Sequence, residues 1–581
     1  MTTILRNVAI LSLLLAFPAY AGPNEDFEAL LEEAWEWQLE QNPTLASALG
    51  DRRYNDRWGD QGVQAAEDAN ETTTEFLRRL FAIDRGSLTE NNQLNFELFR
   101  RELQSDIDAF SFKSHLLPFS HMGGIQNLEE TTTQLRFATV KDYEDWLARM
   151  GSINIVIEQT IGVAEYGRKN GYVSPRVLMQ RVPAQLQKQL VDEPEESPFY
   201  DIFEDMPDTI PEDQQERLRA AALETIEDTV LPAYKRLSGY FNDTYLGATR
   251  DSIGLSDLPN GSAWYEQRAR HYTTTQMSPD EIHRLGLDEV KRIRDEMMQV
   301  IAEVGFEGSF KEFLEYLRTD PQFYYDNPDD LYEAYLATSK RIDPELVTLF
   351  GKLPRMPYGV KPIPDSIAPD TTTAYYSRPA ADGSRAGIYW VNLYRPEVRP
   401  KYEIEVLSVH EAMPGHHLQI ALQQELGDMP NFRRFMGFTA FVEGWGLYSE
   451  DLGYDLGLYK DPYSKFGALT YEMWRAVRLV VDTGMHYKGW TRQQAIDFFM
   501  ENAAKAEHDI VNEIDRYIAW PGQALAYKVG QLKIRSLRAD AERRLGDKFD
   551  IRAFHDHLLG AGALPLDILQ QRMDAWLASQ L

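Results

Sequence analysis

The chain has 581 residues, of which 43% are hydrophobic and 12% aromatic, so it is long and apolar enough to form a large folded core. Acidic residues outnumber basic residues by 91 to 60, and the formal net charge is -31. The basic residues form no stripe, and an anionic protein of this kind is a poor partner for phosphate backbones, which argues against DNA or RNA binding.

Residues 1–21 have the layout of a secretory signal peptide. One basic residue, Arg6, precedes an apolar run over residues 8–17, and Ala19 and Ala21 form an A-x-A arrangement. The run is too short to span a bilayer, and no later run approaches ~18 apolar residues. We therefore expect cleavage after Ala21, a periplasmic or secreted protein, and no membrane span; a buried N-terminal helix is the alternative. The sequence has no cysteine, so we expect neither disulfides nor a lipidated cysteine at the cleavage site.

Most of the remaining sequence has the periodicity of amphipathic helices. The first predicted helix follows the signal and ends at residues 42–43. A second covers residues 213–243, where Pro232 is expected to cause a kink. A third begins after Ser278, which is placed to form a capping box with Glu281.

One region has a different pattern. Residues 371–396 are rich in β-branched and aromatic side chains around an Asp-Gly turn at 382–383, which predicts a β-hairpin. Its strand 387–393 is a candidate for pairing with an extended substrate. Proline-bearing stretches at 192–211 and 352–369 are predicted to be loops. The pattern as a whole predicts a mainly α-helical fold with a small β-hairpin or sheet.

A modified metal-binding motif, VLSVHEAMPGHHLQIAL, follows the hairpin directly. In helices with the motif H-E-x-x-H, two histidines one turn apart bind zinc, and the glutamate takes a proton from the metal-bound water. Here His410 and Glu411 are followed by Pro414 at the place of the second histidine, and the next histidines are His416 and His417.

The spacing of these histidines requires a distorted helix. A straight helix would separate His410 from His416 by about 9 Å and from His417 by about 10.5 Å, too far for one zinc ion. Pro414 cannot donate to the His410 carbonyl, and Gly415 permits unusual backbone angles, so the pair predicts a bulge. A two-residue bulge brings His416 to the metal, and a three-residue bulge brings His417. The smaller distortion favours His416, with His417 as the alternative.

Glu443 is the candidate third ligand, because its apolar neighbours predict burial and a buried carboxylate is unfavourable unless it is paired or bound to a metal. Gly444 would allow a neighbouring backbone or a substrate to approach closely. Glu450 lies two turns later on the same helical face, where it could hold a ligand histidine. The alternative is a structural ion pair between Glu443 and an arginine.

The motif H-E-x-x-P-G-H-H, with the segments YTTTQMSPDEIHRLGLDEVKRI, EGWGLYSE and RYIAWPGQALAYKVG, resembles the DUF885 family of bacterial proteins over nearly all of the mature chain. That family is similar to the gluzincin zinc metallopeptidases, among them the angiotensin-converting-enzyme-like group. The resemblance implies a single two-lobed, mainly α-helical metallopeptidase-like domain over residues 22–581, with a deep central channel and one zinc ion at its floor. It implies the zinc ligands His410, His416 (or His417) and Glu443, and Glu411 as general base.

Further candidates lie in the last quarter of the chain. Tyr517 and Tyr527 resemble the late tyrosines of these peptidases and could donate a hydrogen bond to an oxyanion, although most of the 30 tyrosines must be structural. Arg478 and His486 fall on or near one helical face and are candidates for substrate binding, with Arg478 holding a C-terminal carboxylate. A salt-bridged helix face is the alternative for Arg478.

The leading hypothesis is an exported zinc-dependent metallopeptidase that hydrolyses short peptides, of the oligopeptidase, dipeptidase or carboxypeptidase type. Zinc would lower the pKa of its bound water, and Glu411 would accept the proton and return it to the leaving amine. The alternatives are a zinc hydrolase of another amide or ester, a non-catalytic peptide-binding or envelope-interaction protein, and a metal-free cluster in which carboxylates satisfy the histidines. The presence of Glu411 argues against a purely structural metal site.

Overall fold

The computed structural model describes residues 22–365, 368–370, 372–380, 383, 385–427 and 429–581. The predicted signal peptide and Asp382 of the predicted turn lie outside these residues. Within them the chain is mainly helical, with one small β-sheet. Among the described helices, none is both long and apolar enough to cross a membrane.

The part of the chain before the sheet forms α1 (Pro23–Gln41), α2 (Pro43–Ala48), α3 (Val63–Phe81), α4 (Glu90–Ser111), α5 (Val140–Met150), α6 (Ile153–Lys169), α7 (Arg176–Met179), α8 (Val182–Gln187), α9 (Asp201–Glu204), α10 (Glu212–Thr225), α11 (Leu231–Tyr240), α12 (Leu246–Ala248), α13 (Gly261–Thr273), α14 (Pro279–Glu303), α15 (Phe310–Thr319) and α16 (Pro328–Ile342). The rest of the chain forms the strands β1 (Tyr358–Pro362), β2 (Ala374–Ser377) and β3 (Gly387–Val391), and then α17 (Ile404–Glu411), α18 (His416–Glu425), α19 (Asn431–Phe435), α20 (Thr439–Asp455), α21 (Pro462–Tyr487), α22 (Arg492–Asn502), α23 (Glu507–Ala519), α24 (Ala526–Leu545), α25 (Ile551–Leu559) and α26 (Leu566–Gln580).

The predicted helix ends agree with the structure where local capping determines them. The first helix ends at Gln41, and Pro43 begins the next one. Ser278 caps α14 and forms the predicted capping box with Glu281. Both signals depend on side chains within one turn of the helix end, which is why sequence alone finds them.

Pro232 interrupts its helix differently from the prediction. The helix continues from α10 into α11 through a π-helical turn at Ile226–Val230, directly before the proline. The backbone angles stay helical on both sides of this turn. The extra residue of a π turn shifts the hydrogen-bond pattern beside a residue that cannot donate, so the helix passes the proline without ending.

The predicted hairpin is confirmed, because β2 and β3 pair antiparallel. The prediction of a loop at 352–369 is wrong in part, because β1 lies there and pairs parallel to β3. The strand order is β1-β3-β2, so β3 is bonded on both sides and cannot accept a substrate strand. The suggested pairing of a substrate with residues 387–393 is therefore excluded, and β2 is the edge strand next to the hairpin turn.

Helix α21 lies between two clusters of buried apolar side chains. It contributes Val477 and Val480 to one cluster and Leu479 to the other, and every residue from 466 to 486 is buried. Helix α14 packs along α21, and α20 packs along α24. The last pair is very close, because Gly444 of α20 faces Gly530 of α24.

Exchange of Gly530 for alanine should destabilise this crossing. A Cβ atom at residue 530 would lie 1.9 Å from the Ala440 carbonyl oxygen and 2.7 Å from the Gly444 Cα, so the helices must separate. We expect Gly530→Ala to lower the free energy of unfolding by about 1–3 kcal/mol. The control is Gly239→Ala in α11, where a Cβ meets nothing within 4 Å, and it should leave stability equal or slightly higher. Equal urea midpoints for the two variants would contradict the close crossing.

Candidate metal centre

The chain between His410 and His416 is a break between two helices. Helix α17 ends at Glu411, α18 begins at His416, and the Met413–Pro414 peptide bond between them is cis. The prediction of a bulge within one continuous helix is therefore wrong, because His410 and His416 lie on two separate helices. The chain turns back across the end of α17, and the His417 amide donates to the Ala412 carbonyl (3.1 Å).

Gly415 makes this turn sterically feasible. A Cβ atom at this position would lie 1.9 Å from the His410 carbonyl oxygen and 2.4 Å from that of Val409. Any larger residue would therefore collide with the end of α17. The close approach is what allows His416, six residues after His410, to return to the same place.

The structure brings His410, His416 and Glu443 together. One potential ligand atom from each lies within 4.8 Å of those of the other two. Glu443 Oε2 is 3.5 Å from His416 Nε2 and 3.8 Å from His410 Nε2, and the two histidine rings are nearly perpendicular. Glu443 thus pairs with the histidines rather than with an arginine.

The ionisable groups of this cluster are buried, and the pKa of each depends on its neighbours. Burial holds the pKa of His410 well below its usual value, which favours a neutral imidazole. The pKa of His416 is raised in spite of burial, because it hydrogen-bonds to Glu443, whose own pKa is lowered in turn. A cation that displaces the His416 proton would meet a donor set of two imidazoles and one carboxylate.

Glu450 orients His410, as its position two turns after Glu443 predicted. His410 Nδ1 is 2.8 Å from Glu450 Oε1, and Arg475 Nη2 is 3.5 Å from the same oxygen. Burial raises the pKa of Glu450 to about 8, while Arg475 opposes the rise, so either group can carry the shared proton. A cation at Nε2 would hold that proton on Nδ1.

His417 points away from the cluster. Its Nδ1 accepts a hydrogen bond from the Tyr376 hydroxyl (2.8 Å), and its Nε2 donates to the Met356 carbonyl (3.0 Å). Burial lowers its pKa to about 4, in keeping with a neutral ring that uses both nitrogens. His417 therefore fixes β2 and the segment before β1 to α18, and the geometry leaves His416 as the histidine next to His410.

Gly446 makes room for the two histidine rings. A Cβ atom at residue 446 would lie 2.9 Å from His410 Cε1 and 3.1 Å from His416 Cε1. Gly446 is not among the site residues predicted from the sequence, although its place three residues after Glu443 on the same helical face is a usable signal. Gly444 serves the helix crossing instead, where it meets the backbone of Gly530.

Glu411, the last residue of α17, lies beside the cluster with a half-buried side chain. Burial raises its pKa to about 7, the His416 charge opposes that rise, and the Glu443 charge adds to it. The Tyr376 backbone, on the edge strand β2, lies within hydrogen-bonding reach of its carboxylate. A carboxylate with this pKa can exchange protons near neutral pH.

The two candidate tyrosines have different surroundings. The Tyr517 hydroxyl accepts from Trp474 (2.9 Å) and Arg478 (2.8 Å) and donates to Glu513 (2.7 Å), which uses its full hydrogen-bonding capacity. Its side chain is 1% exposed. Tyr527 is half-buried, and its hydroxyl lies within reach of Glu443. Tyr527 is therefore the tyrosine beside the cluster.

The two substrate-binding candidates are both buried. His486 is fully buried; its Nδ1 accepts from the Leu255 amide (3.0 Å) and its Nε2 donates to the Tyr517 carbonyl (3.0 Å). These bonds use both ring nitrogens, so the structure does not support a substrate-binding role for His486. Arg478 is 3% exposed and bonded to Tyr517 and Glu513.

Comparison with known protein families identifies the family that the sequence motifs resemble. A family model described as "Bacterial protein of unknown function (DUF885)" matches residues 43–573, so the chain belongs to this family. No curated protein matches the chain.

Two solved structures of proteins described as putative lipoproteins are similar to this one. The protein from Colwellia psychrerythraea is 29% identical with a TM-score of 0.89, and the match covers 96% of this chain and 100% of that chain. The protein from Shewanella oneidensis, described as of unknown function, is 18% identical with a TM-score of 0.74, covering 95% and 100%. The second likeness concerns the fold alone.

Exchange of Gly446 for alanine should weaken metal binding by displacing both histidine rings. We expect the affinity for added Zn²⁺, measured by chelator competition, to fall about tenfold or more, as when other groups that orient ligands are removed. Gly162→Ala in α6 is the control, because a Cβ atom there meets nothing within 4 Å. Unchanged affinity in Gly446→Ala would show that the rings are not held in this position for a metal.

Proposed function

We propose that this member of the DUF885 family is a zinc-dependent metallopeptidase that hydrolyses short peptides. The observation that carries the proposal is the convergence of His410, His416 and Glu443 from three segments, with Glu411 directly after the first histidine. This arrangement resembles that of gluzincin peptidases, in which a mainly helical body holds zinc at the floor of a channel.

The donor set fits zinc. A tetrahedral ion with metal–ligand distances near ~2.0–2.1 Å places its ligands about 3.3 Å apart. Glu443 Oε2 already lies 3.5 Å and 3.8 Å from the two imidazole Nε2 atoms, so small side-chain movements suffice. Three protein ligands leave a fourth position for water, as in catalytic rather than structural zinc sites.

Each neighbouring residue then has a chemical role. Bound zinc would lower the pKa of a water molecule and polarise the scissile carbonyl. With zinc bound, Glu411 would accept the proton of that water and return it to the leaving amine. Tyr527, beside Glu443, donates a hydrogen bond to the developing oxyanion.

An extended peptide has a natural place along β2. Among the described residues this strand pairs on one side only, with β3, and the Tyr376 backbone on it lies next to Glu411. Pairing of a substrate with the edge of β2 would align its backbone with the general base. His417 holds Tyr376 in position.

We place this activity in the cell envelope. The N-terminal sequence has the pattern of a signal peptide, and the similar protein from Colwellia psychrerythraea is described as a putative lipoprotein. Short peptides outside the cytoplasm are the substrates that such a location would offer.

Exchange of Glu411 for glutamine tests the general base. Glu411→Gln removes the proton acceptor but none of the three metal ligands, so zinc content should stay at about one per chain while peptide cleavage falls at least ~100-fold. Metal analysis by mass spectrometry and a screen of peptides of mixed length give the two measurements. Zinc-free wild type, or cleavage unaffected by the exchange, would refute the mechanism. Zinc binding without cleavage in the wild type would favour a non-catalytic peptide-binding protein.

The neighbouring histidines provide a matched pair of variants for the ligand assignment. We expect His416→Ala to lose zinc, because it removes one of three ligands, and His417→Ala to keep it. His417→Ala should lower thermal stability instead, since it leaves Tyr376 and the Met356 carbonyl without their partner. Loss of zinc from folded His417→Ala, with zinc retained in His416→Ala, would reverse the assignment.

A further inference from the structure

A pair of arginines lies on the side of the metal centre that Tyr527 occupies. The Arg478 guanidinium stacks over the Tyr527 ring at 4.3 Å, so one side chain separates it from the ligand Glu443. Arg516, in α23, lies beside Arg478, because the Nη2 atoms of both donate to Glu513 Oε2, at 3.3 Å and 3.2 Å. Arg516 is not among the site residues predicted from the sequence.

Arg478 has one donor group without a partner. Its Nε and Nη2 atoms donate to Tyr517 (2.8 Å) and Glu513 (3.2 Å). Its Nη1 is buried and has no hydrogen-bond acceptor among the described residues. A buried guanidinium nitrogen without a partner is unfavourable, which suggests that an acceptor arrives from outside the chain.

Arg516 is the more accessible member of the pair. Its side chain is 21% exposed, compared with 4% for Arg478. Its guanidinium makes two long hydrogen bonds, to Glu513 (3.3 Å) and Gln523 (3.2 Å), and lies over the Tyr517 ring at 5.2 Å. These contacts set the direction of the guanidinium while its exposed edge stays open to a ligand.

The hydrogen-bonded group around Glu513 has one formal positive charge in excess. Glu513 is the carboxylate shared by both arginines, through the same oxygen that accepts from Tyr517. Two guanidinium groups and one carboxylate leave one formal positive charge. A single carboxylate, which guanidinium groups bind through paired N–H donors, would neutralise that charge.

We infer that Arg516 and the unpartnered Nη1 of Arg478 form a subsite for a carboxylate group of the substrate, next to the metal centre. The inference rests on the proposed function and deepens it, because the C-terminal carboxylate of a peptide bound here would place a bond near the chain end at the metal. Arg516 is then the residue that makes the enzyme act as a carboxypeptidase. The side-chain carboxylate of an acidic residue has the same chemistry and is the other source to distinguish.

Binding of three related peptides tests the subsite without any need for turnover. In the zinc-loaded Glu411→Gln protein, calorimetry compares trialanine, trialanine amide, and an Ala-Ala-Glu amide that carries only a side-chain carboxylate. We expect trialanine to bind about tenfold or more tightly than its amide, and the Glu-containing amide to bind no better than trialanine amide. Equal binding of trialanine and its amide, or no binding of either, overturns the subsite. Tighter binding of the Glu-containing amide than of trialanine would assign the subsite to an acidic side chain and overturn the carboxypeptidase assignment.

Variants of Arg516 test whether this residue causes the preference for the free acid over the amide. Adding Arg516→Gln should reduce the ratio of acid to amide affinity to about one, whereas Arg516→Lys, which retains the charge, should keep part of it. Arg492→Gln is the matched control, because Arg492 is 28% exposed and pairs with Asp515 in the same region. An undiminished ratio in folded Arg516→Gln overturns the role of Arg516.

Cleavage by the protein with Glu411 intact separates this inference from the proposed function. If the protein cleaves peptides but treats acids and amides alike, the peptidase stands and the subsite fails. If it binds acids selectively but cleaves none of them, the subsite stands and the peptidase fails.

Discussion

The candidate site depends on one steric constraint, the close contact between Gly415 and the carbonyl group of His410. Two histidines six residues apart cannot meet on a straight helix, because the axial rise alone separates them by about 9 Å. In the structure, α17 ends at Glu411 and the chain turns back before α18 begins. The turn brings residue 415 so near to the His410 carbonyl that there is no room for a side chain. Pro414 and Gly415 are thus the residues that make the spacing of His410 and His416 compatible with one metal ion.

Helix α20 supplies the rest of the arrangement from a single face. Glu443, Gly446 and Glu450 follow one another at intervals of three and four residues, so they lie along one stripe of the helix. The first is the candidate ligand, the second leaves space for both imidazole rings, and the third orients His410. The contact of Gly444 with α24 fixes the position of this stripe, and Arg475 of the buried helix α21 pairs with the Glu450 oxygen that binds His410. Such support from rigid elements is what precise metal geometry requires.

Local signals in the sequence foretold much of this arrangement. The capping box at Ser278, the hairpin, and the relation of Glu450 to Glu443 follow from patterns within two helical turns. Three features had no such signal. The form of the break after Glu411 depends on backbone contacts that a motif does not encode, and β1 depends on pairing with a strand some thirty residues later. Arg516 was overlooked because a Glu513–Arg516 pair, three residues apart, has the pattern of an ordinary helix surface. Its position beside Arg478 arises only when α23 packs against α21.

The central claim is that one metal ion is held by His410, His416 and Glu443. Anomalous diffraction from crystals grown with zinc, recorded on both sides of the zinc absorption edge, tests it most directly. The account predicts a single strong anomalous peak within ~2.0–2.2 Å of both imidazole Nε2 atoms and one Glu443 oxygen. A map without a peak at this place, or with a peak bound by His417, would contradict it.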